Sequence, residues 1–247
     1  MKRRLVISDI HGCYEPFNQL LELVKYHPVN DQLILLGDYV DRGADSRKVL
    51  DQVLRMVRDE SVIALQGNHD ERFADVVMGR HGEAKVKFFE HGGLQTMESY
   101  LNLSFQGAEA MREELLEKFV AIINERYMHH VRFLDELPWF YEDEDHIYVH
   151  AGINPDYMQW KEQPKRDFLY IKDPFIKKPI SIGKRIIFGH TKTIDIHGSP
   201  DIWYGDGKIG IDGGCAYGCQ LNCLEILGRN KYRTYSVQAE RNGYALS

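Results

Sequence analysis

Acidic residues, histidines and an asparagine recur directly after five short apolar runs of this chain. The segments that carry them are SDIHG (8–12), GDYVDRG (37–43), GNHD (67–70), VHAG (149–152) and FGHT (188–191). Glycines beside the polar residues permit sharp turns and a close approach of the backbone to a ligand. Because side chains at the carboxyl ends of strands in an α/β sheet converge on one edge, these segments are predicted to meet in one site.

The residue types in these segments are those of a divalent metal site. The candidates are Asp9, His11, Asp38, Asp41, Asn68, His69, His150 and His190. Taken singly, each has a plain structural explanation, since Asp before Gly is usual in turns and a lone His near a strand end is usually structural. Carboxylate, imidazole and amide ligands without thiolate suit Mn, Fe or Zn better than a closed structural zinc site.

The number of candidates exceeds the needs of one ion, so we infer two metals that share one carboxylate. Such pairs, roughly 3.5–4 Å apart, stabilise the attacking and leaving oxygens of an in-line displacement at phosphorus. Arg42 lies one residue after Asp41. Its guanidinium is able to bind two phosphate oxygens at once, which a lysine is not. The chemistry predicted is therefore phosphoester hydrolysis.

The elements that must position these residues form an α/β pattern. Continuous apolar runs predict strands covered on both faces, and they lie at 4–9, 32–38, 61–70, 146–152, 185–191 and 208–214, with LNCLEIL and YRTYSVQ after them. Helical spacing in PFNQLLELVKY and SRKVLDQVLRMVRD, with Ser46 as the N-cap, predicts a β-α-β-α-β opening. Residues from about 71 to 135 lack strand signals and include the amphipathic stretch GAEAMREELLEKFVAIINERYMHHVRFLDEL. We predict one α/β domain over residues 1–247, with a helical insertion at about 71–135.

Composition excludes several classes of protein. The chain has 247 residues, 43% hydrophobic and 28% charged, and a net charge of −6, which argues against a general nucleic-acid or anionic-membrane surface. No apolar stretch approaches the ~18 residues of a membrane span. Cys215, Cys219 and Cys223 recur every fourth residue, which leaves a metal site or a disulfide open. Without a CxxC pair, reduced thiols in a cytoplasmic protein are the favoured interpretation.

The ordered set SDIHG, GDYVDRG, GNHD, HAG and GHT resembles the calcineurin-like metallophosphoesterases. It is most similar to their phosphoprotein phosphatase (serine/threonine phosphatase) branch in its compact bacterial and phage form. The resemblance implies a β-sandwich flanked by helices and two divalent ions, with manganese expected and iron or zinc as alternatives. The metal ligands that it implies are Asp9, His11, Asp38, Asn68, His150 and His190. Asp38 would bridge the two ions.

The resemblance also implies roles in catalysis. His69 would be the general acid for the leaving oxygen, and Asp41 would orient it. Arg42 and Asn68 would hold the phosphoryl oxygens. Lys172, in YIKDPF, stands where compact relatives commonly carry an arginine that contacts phosphate, and it is expected to take that place. A metal-bound hydroxide would attack the phosphorus directly.

Three functions are compatible with this set of residues. The favoured one is hydrolysis of phosphoserine or phosphothreonine on proteins, with phosphotyrosine and small monoesters as further substrates. The alternative is a bis(5'-nucleosyl)-tetraphosphatase that cuts an anhydride with the same metals. Symmetrical enzymes of that kind usually lack the acidic residue of VDRG, so Asp41 favours monoesters. A non-catalytic scaffold is disfavoured, because it predicts loss of a ligand or of the proton donor and every position is filled.

Overall fold

Two five-stranded mixed sheets form the centre of the structure, a computed structural model that describes residues 3–80, 82–104 and 112–239. The first sheet has the strand order β10-β9-β1-β2-β3 and the second β4-β5-β6-β8-β7. The strands are β1 Arg3–Ile7, β2 Asp31–Leu35, β3 Ile63–Ala64, β4 Phe140–Glu142, β5 His146–Val149, β6 Arg185–Phe188, β7 Trp203–Gly205, β8 Lys208–Gly210, β9 Gln220–Gly228 and β10 Lys231–Gln238. Strands β1, β2 and β3 are parallel, as are β5, β6 and β8.

The two sheets pack face to face, and helices cover their outer faces. In β1, Val6 faces the second sheet and contacts a cluster that includes Tyr148 and Ile187. Leu5 and Ile7, one residue to either side, join the core beneath the helices. This alternation follows from the two-residue period of a strand. Runs that are apolar at every position are therefore buried on both sides, and the predicted α/β sandwich flanked by helices is confirmed.

Ten α-helices lie in the described part of the chain. Their bounds are α1 Tyr14–Leu23, α2 Ser46–Glu60, α3 Asn68–Val77, α4 Gly82–Glu90, α5 Gly93–Leu101, α6 Arg112–Ile122, α7 Met128–Glu136, α8 Lys165–Tyr170, α9 Asp173–Lys177 and α10 Thr193–His197. A π-helical turn, Ile123–Tyr127, joins α6 to α7, and 3-10 turns occupy Trp160–Glu162 and Cys215–Tyr217. Within residues 3–80, 82–104 and 112–239, no helix is both long and apolar enough to traverse a bilayer.

The opening β1-α1-β2-α2-β3 agrees with the sequence pattern, but several local predictions differ from the structure. The run at 61–70 forms a strand over only two residues, and its GNHD segment instead spans the last residue before α3 and the first turn of that helix. The helical region consequently begins at Asn68, three residues before the predicted start. The amphipathic stretch is interrupted by the π-helical turn, and its residues 107–111 lie outside the described residues.

Ser46 is not an N-cap. It is the first residue of α2, after Asp45 at the N-cap, and no side chain caps this helix end. The Ser46 hydroxyl instead accepts a hydrogen bond from the backbone N–H of Asp41 (3.2 Å) and contacts the Thr96 hydroxyl (3.1 Å). A long-range contact has therefore replaced the local cap that the sequence suggested.

Candidate dinuclear metal centre

The segments identified from the sequence converge at one end of the sandwich. They follow β1, β2 and β3 of the first sheet and β5 and β6 of the second. A cavity of about 550 Å³ opens here, and its lining includes Asp38, Arg42, Asn68, His190 and Lys172. The two sheets thus contribute to a single site from both sides of the inner core.

Asp38 lies at the centre of the ligand set. Its Oδ2 is 3.3 Å from Nε2 of His11 and 3.5 Å from Nε2 of His150. Two groups of three side chains have ligand atoms within 4.8 Å of one another, His11–Asp38–His69 and Asp38–His150–His190. Asp38 belongs to both groups, which is the arrangement that a bridging carboxylate requires.

The two other predicted ligands border these groups. Asp9 Oδ1 lies 3.9 Å from Nε2 of His11. Asn68 Oδ1 lies 3.0 Å from Nε2 of His150. All six predicted metal ligands are therefore brought together, three on the side of β1 and β2 and the others towards β5 and β6.

The histidines are held with one ring nitrogen directed into the site. Nδ1–H of His11 donates to the carbonyl of Val40 (2.7 Å), and Nδ1–H of His150 donates to the carbonyl of Leu36 (2.9 Å). A backbone acceptor at Nδ1 fixes the tautomer that leaves a lone pair on Nε2, as in histidine metal ligands. His190 Nε2 is buried and has no hydrogen-bond partner among the described residues. A buried, unpaired nitrogen beside a shared carboxylate fits a metal ligand.

The site also contains several buried carboxylates, among them Asp9, Asp38 and Asp212. Burial raises the pKa of Asp9 to about 6 and that of Asp212 to about 7. Burial opposes ionisation of Asp38 too, but attraction to the His150 imidazole favours the anion, and the pKa of Asp38 lies well below the ordinary value. Carboxylates buried this closely are stable as anions only beside compensating positive charge. The donor set and its charge therefore fit a pair of divalent cations.

His69 and Asp41 form a buried pair beside the metal groups. Nδ1–H of His69 donates to Oδ2 of Asp41 (2.6 Å), and both side chains are almost inaccessible to solvent. The Thr96 hydroxyl donates to the other oxygen of Asp41 (2.8 Å) and accepts from its backbone N–H (2.9 Å). Burial raises the pKa of Asp41 to about 7 and lowers that of His69 well below its usual value. The imidazole is therefore neutral here, and its Nε2 accepts a hydrogen bond from Arg42 (2.8 Å).

The backbone of the site is held in conformations that side chains disfavour. The non-glycine site residues with positive φ are Asp9, His11, Asp38, Asp41, Arg42 and His190. Such conformations persist only where the surrounding structure enforces them, and they concentrate at functional sites. Gly67 shows how tight the packing is, because a Cβ there would lie 2.2 Å from Oδ1 of Asp38.

Arg42 and Lys172, the two predicted phosphate-binding cations, both line the cavity. The Arg42 guanidinium also contacts His11 Nε2 and lies 5.1 Å from the ring centre of Tyr217. Lys192 lies over the other side of this region, 4.3 Å from the same ring centre.

Sequence reasoning missed several residues of the site. Asp70, in the GNHD segment, accepts hydrogen bonds from the backbone N–H groups of Asp38, Tyr39 and Gly67 (2.8–2.9 Å). It thereby fixes the turn after β2 against the start of α3. The other missed residues that line the cavity include Arg72, His91, Tyr170, Lys192, Asp212 and Tyr217. Arg72 stands three residues after His69, about one helical turn away, and Asp212 follows the apolar run KIGI. Both positions could therefore have been predicted from the sequence to lie near the site.

Comparisons with known proteins identify the family. The calcineurin-like phosphoesterase model matches residues 2–207. An asymmetrical bis(5'-nucleosyl)-tetraphosphatase of Anoxybacillus flavithermus is 26% identical over 242 residues, which cover 89% of this chain and 88% of that protein. Serine/threonine-protein phosphatase 1 of Salmonella typhimurium is 27% identical over 228 residues, 90% of either chain. A crystal structure provisionally assigned as a diadenosine tetraphosphatase covers 98% of this chain and 95% of its own, with a TM-score of 0.66 at 19% identity, which shows the shared fold. This chain belongs to the calcineurin-like phosphoesterase family.

Proposed function

We propose that this chain is a two-metal phosphatase that hydrolyses phosphomonoesters, with phosphoserine and phosphothreonine on proteins as its preferred substrates and phosphotyrosine as a further one. The observation that carries the proposal is the buried hydrogen bond between His69 and Asp41 beside the shared carboxylate. A serine or threonine alkoxide is a poor leaving group and needs a proton as it departs. A site equipped with an oriented imidazole at the metals is suited to that demand.

The metal ligands of the proposal are the six residues that meet around Asp38. Asp9, His11 and Asp38 would hold one ion, and Asp38 with Asn68, His150 and His190 the other. When bound, such ions make water nucleophilic near neutral pH and neutralise charge on the phosphoryl oxygens. Imidazole and amide ligands favour Mn²⁺ over Mg²⁺, with iron and zinc as alternatives.

Protein side chains would bind the phosphoryl group and supply the proton for the leaving oxygen. Arg42, Lys172 and Asn68 line the cavity and would bind phosphoryl oxygens, Arg42 through two N–H groups at once. A phosphate dianion beside His69 favours protonation of Nε2, because the imidazolium gains an opposite charge. His69 would then give that proton to the leaving oxygen, and Asp41, held by Thr96, would keep the ring in position.

A second function, bis(5'-nucleosyl)-tetraphosphatase activity, is favoured by a different observation. A cavity of about 920 Å³ adjoins the metal cavity, and Arg42 and Tyr217 line both. This larger cavity offers aromatic rings of Tyr14 and Tyr217 together with Lys48, groups able to hold a nucleoside as well as a peptide segment. The similarity to a relative named as such a hydrolase supports the same alternative.

The experiment that separates the two functions compares kcat/KM for a phosphoserine peptide, a phosphotyrosine peptide and diadenosine tetraphosphate at equal Mn²⁺. We expect the phosphoserine peptide to be the best substrate. His69→Asn should slow the peptide far more than the dinucleotide, because a nucleotide leaving group departs without a proton. Turnover of the dinucleotide alone would reject the phosphatase proposal and establish the alternative. No metal-dependent turnover of any of the three, or of p-nitrophenyl phosphate, would reject both.

A further inference from the structure

A third group of ligand-type side chains lies outside the catalytic cavity. Asp51 on α2 and the adjacent His129 and His130 on α7 each present a ligand atom, and these atoms lie within 4.8 Å of one another. None of the three lines the cavity of the metal centre. The group therefore requires an explanation of its own.

His130 is placed as histidine metal ligands are. Its side chain is buried, and its Nδ1 is hydrogen-bonded to the hydroxyl of Tyr100 (2.7 Å). Its Nε2 is 3.1 Å from Oδ1 of Asp51, a carboxylate whose side chain is 56% exposed. A hydrogen-bond partner on the second ring nitrogen fixes the orientation of a ligating imidazole. The ring is thus held with one nitrogen towards the opening where Asp51 lies.

His129 completes the group from the solvent side. Its side chain is exposed and makes no hydrogen bond to another described residue, and its ring centre is 4.3 Å from that of His130. Neighbouring residues of a regular α-helix point about 100° apart and do not face each other. Here the π-helical turn at Ile123–Tyr127 immediately precedes α7, and Tyr127 departs from helical angles (φ −126°, ψ 18°). Turns of this type are frequent at functional sites in helices.

We propose that Asp51, His129 and His130 form a binding site for a divalent cation of the zinc class, which links α2 to the helical insertion through α7. Two imidazoles and one carboxylate suit Zn²⁺ or Co²⁺, whereas Ca²⁺ and Mg²⁺ prefer a shell of oxygens. Solvent would complete the coordination, since Asp51 and His129 are exposed. Arg47 is the neighbouring cation, and its guanidinium is directed to the hydroxyl of Tyr127 (3.2 Å). The site is independent of the substrate proposed above.

The first test counts zinc. The chain is stripped with chelator, equilibrated with Zn²⁺, separated from free ion by gel filtration and analysed for metal. We expect three Zn²⁺ in the unaltered protein and two in His129→Ala, whose thermal midpoint should no longer rise with the third equivalent of Zn²⁺. His27→Ala removes another exposed histidine and is the matched control; it should keep three. His129→Ala should also keep full Mn²⁺-dependent turnover of p-nitrophenyl phosphate.

A second measurement locates the ion without any substitution. Crystals of the zinc-loaded protein, measured at the zinc absorption edge, should show an anomalous peak about 2.0–2.2 Å from ligand atoms of Asp51, His129 and His130. An equal Zn²⁺ count in the unaltered protein and His129→Ala, or no anomalous peak at Asp51, His129 and His130, would each overturn the site. The difference of one Zn²⁺ between the unaltered protein and His129→Ala does not depend on the occupancy or the substrate of the catalytic centre, so the two proposals fail separately.

Discussion

Replacement of Asp41 by Asn tests whether His69 acts as a proton donor that Asp41 holds in position. Asp41 is buried and accepts a hydrogen bond from Nδ1–H of His69 at 2.6 Å, while Thr96 holds its other oxygen at 2.8 Å. A hydrogen bond to a charged group contributes about 1.5–3 kcal/mol. Loss of that amount from the transition state corresponds to a roughly 10- to 200-fold lower kcat on an alkyl phosphate.

Replacement of His69 itself should lower kcat more than replacement of Asp41. His69→Asn should lower kcat by about 10²–10⁴-fold, as is typical when a general acid is lost. The loss should be much smaller with p-nitrophenyl phosphate, whose leaving group departs without a proton. Asp41→Asn should show a weaker form of this dependence on the leaving group, because it only positions the imidazole.

The assay is kcat on a phosphoserine peptide and on p-nitrophenyl phosphate, with the metal content of each variant measured alongside. His69 is close enough to His11 and Asp38 to be counted with them as a possible ligand group, so metal content is the decisive control. We expect His69→Asn and Asp41→Asn to keep both ions and His150→Ala to lose one. If His69→Asn loses metal as His150→Ala does, or slows both substrates equally, the general-acid role is refuted.

The phosphate-binding cations, the close packing at Gly67 and the metal preference can each be tested. Arg42→Lys should raise KM and lower kcat, with kcat/KM reduced roughly 10- to 100-fold by loss of the two-pronged contact. Lys172→Arg should be tolerated. Unchanged kinetics in Lys172→Ala would show that Lys172 does not contact phosphate. Gly67→Ala should weaken metal binding and lower the free energy of unfolding by about 1–3 kcal/mol, since its Cβ would lie 2.2 Å from Asp38 Oδ1. Chemical denaturation and metal analysis check this, with Gly228→Ala as control, because a Cβ at Gly228 would meet nothing within 4 Å. After chelation, Mn²⁺ should restore turnover better than Mg²⁺, and equal recovery with Mg²⁺ in a titration of both ions would contradict the ligand argument.

The convergence of the candidate metal ligands was predictable because local signals place them. Asp9, Asp38, His150 and His190 all follow an apolar run that ends in a turn, and the carboxyl ends of parallel strands meet by the geometry of the sheet. The sequence also indicates that both sheet faces are covered, since the runs are apolar at every position.

The supporting residues were not predictable in the same way, because their contacts span long distances in sequence. Thr96 binds Asp41 across 55 residues from within the helical insertion, where no strand end or glycine turn marks it. Ser46 was predicted as the N-cap of α2 but is the first residue of that helix, and its hydroxyl contacts Asp41 and Thr96 instead of the helix end. Tertiary contacts of this kind override local propensity, which is a weak guide on its own.

We propose that one carboxylate, Asp38, joins two metal ions on which turnover depends. The most direct measurement is low-temperature electron paramagnetic resonance of the Mn²⁺-loaded protein and of Asp38→Asn, with turnover of p-nitrophenyl phosphate followed in the same samples. We predict an exchange-coupled two-manganese signal in the unaltered protein, and in Asp38→Asn the loss of both that signal and turnover. Full turnover by protein that elemental analysis shows to be free of metal, or an unchanged coupled signal in Asp38→Asn, would contradict the account.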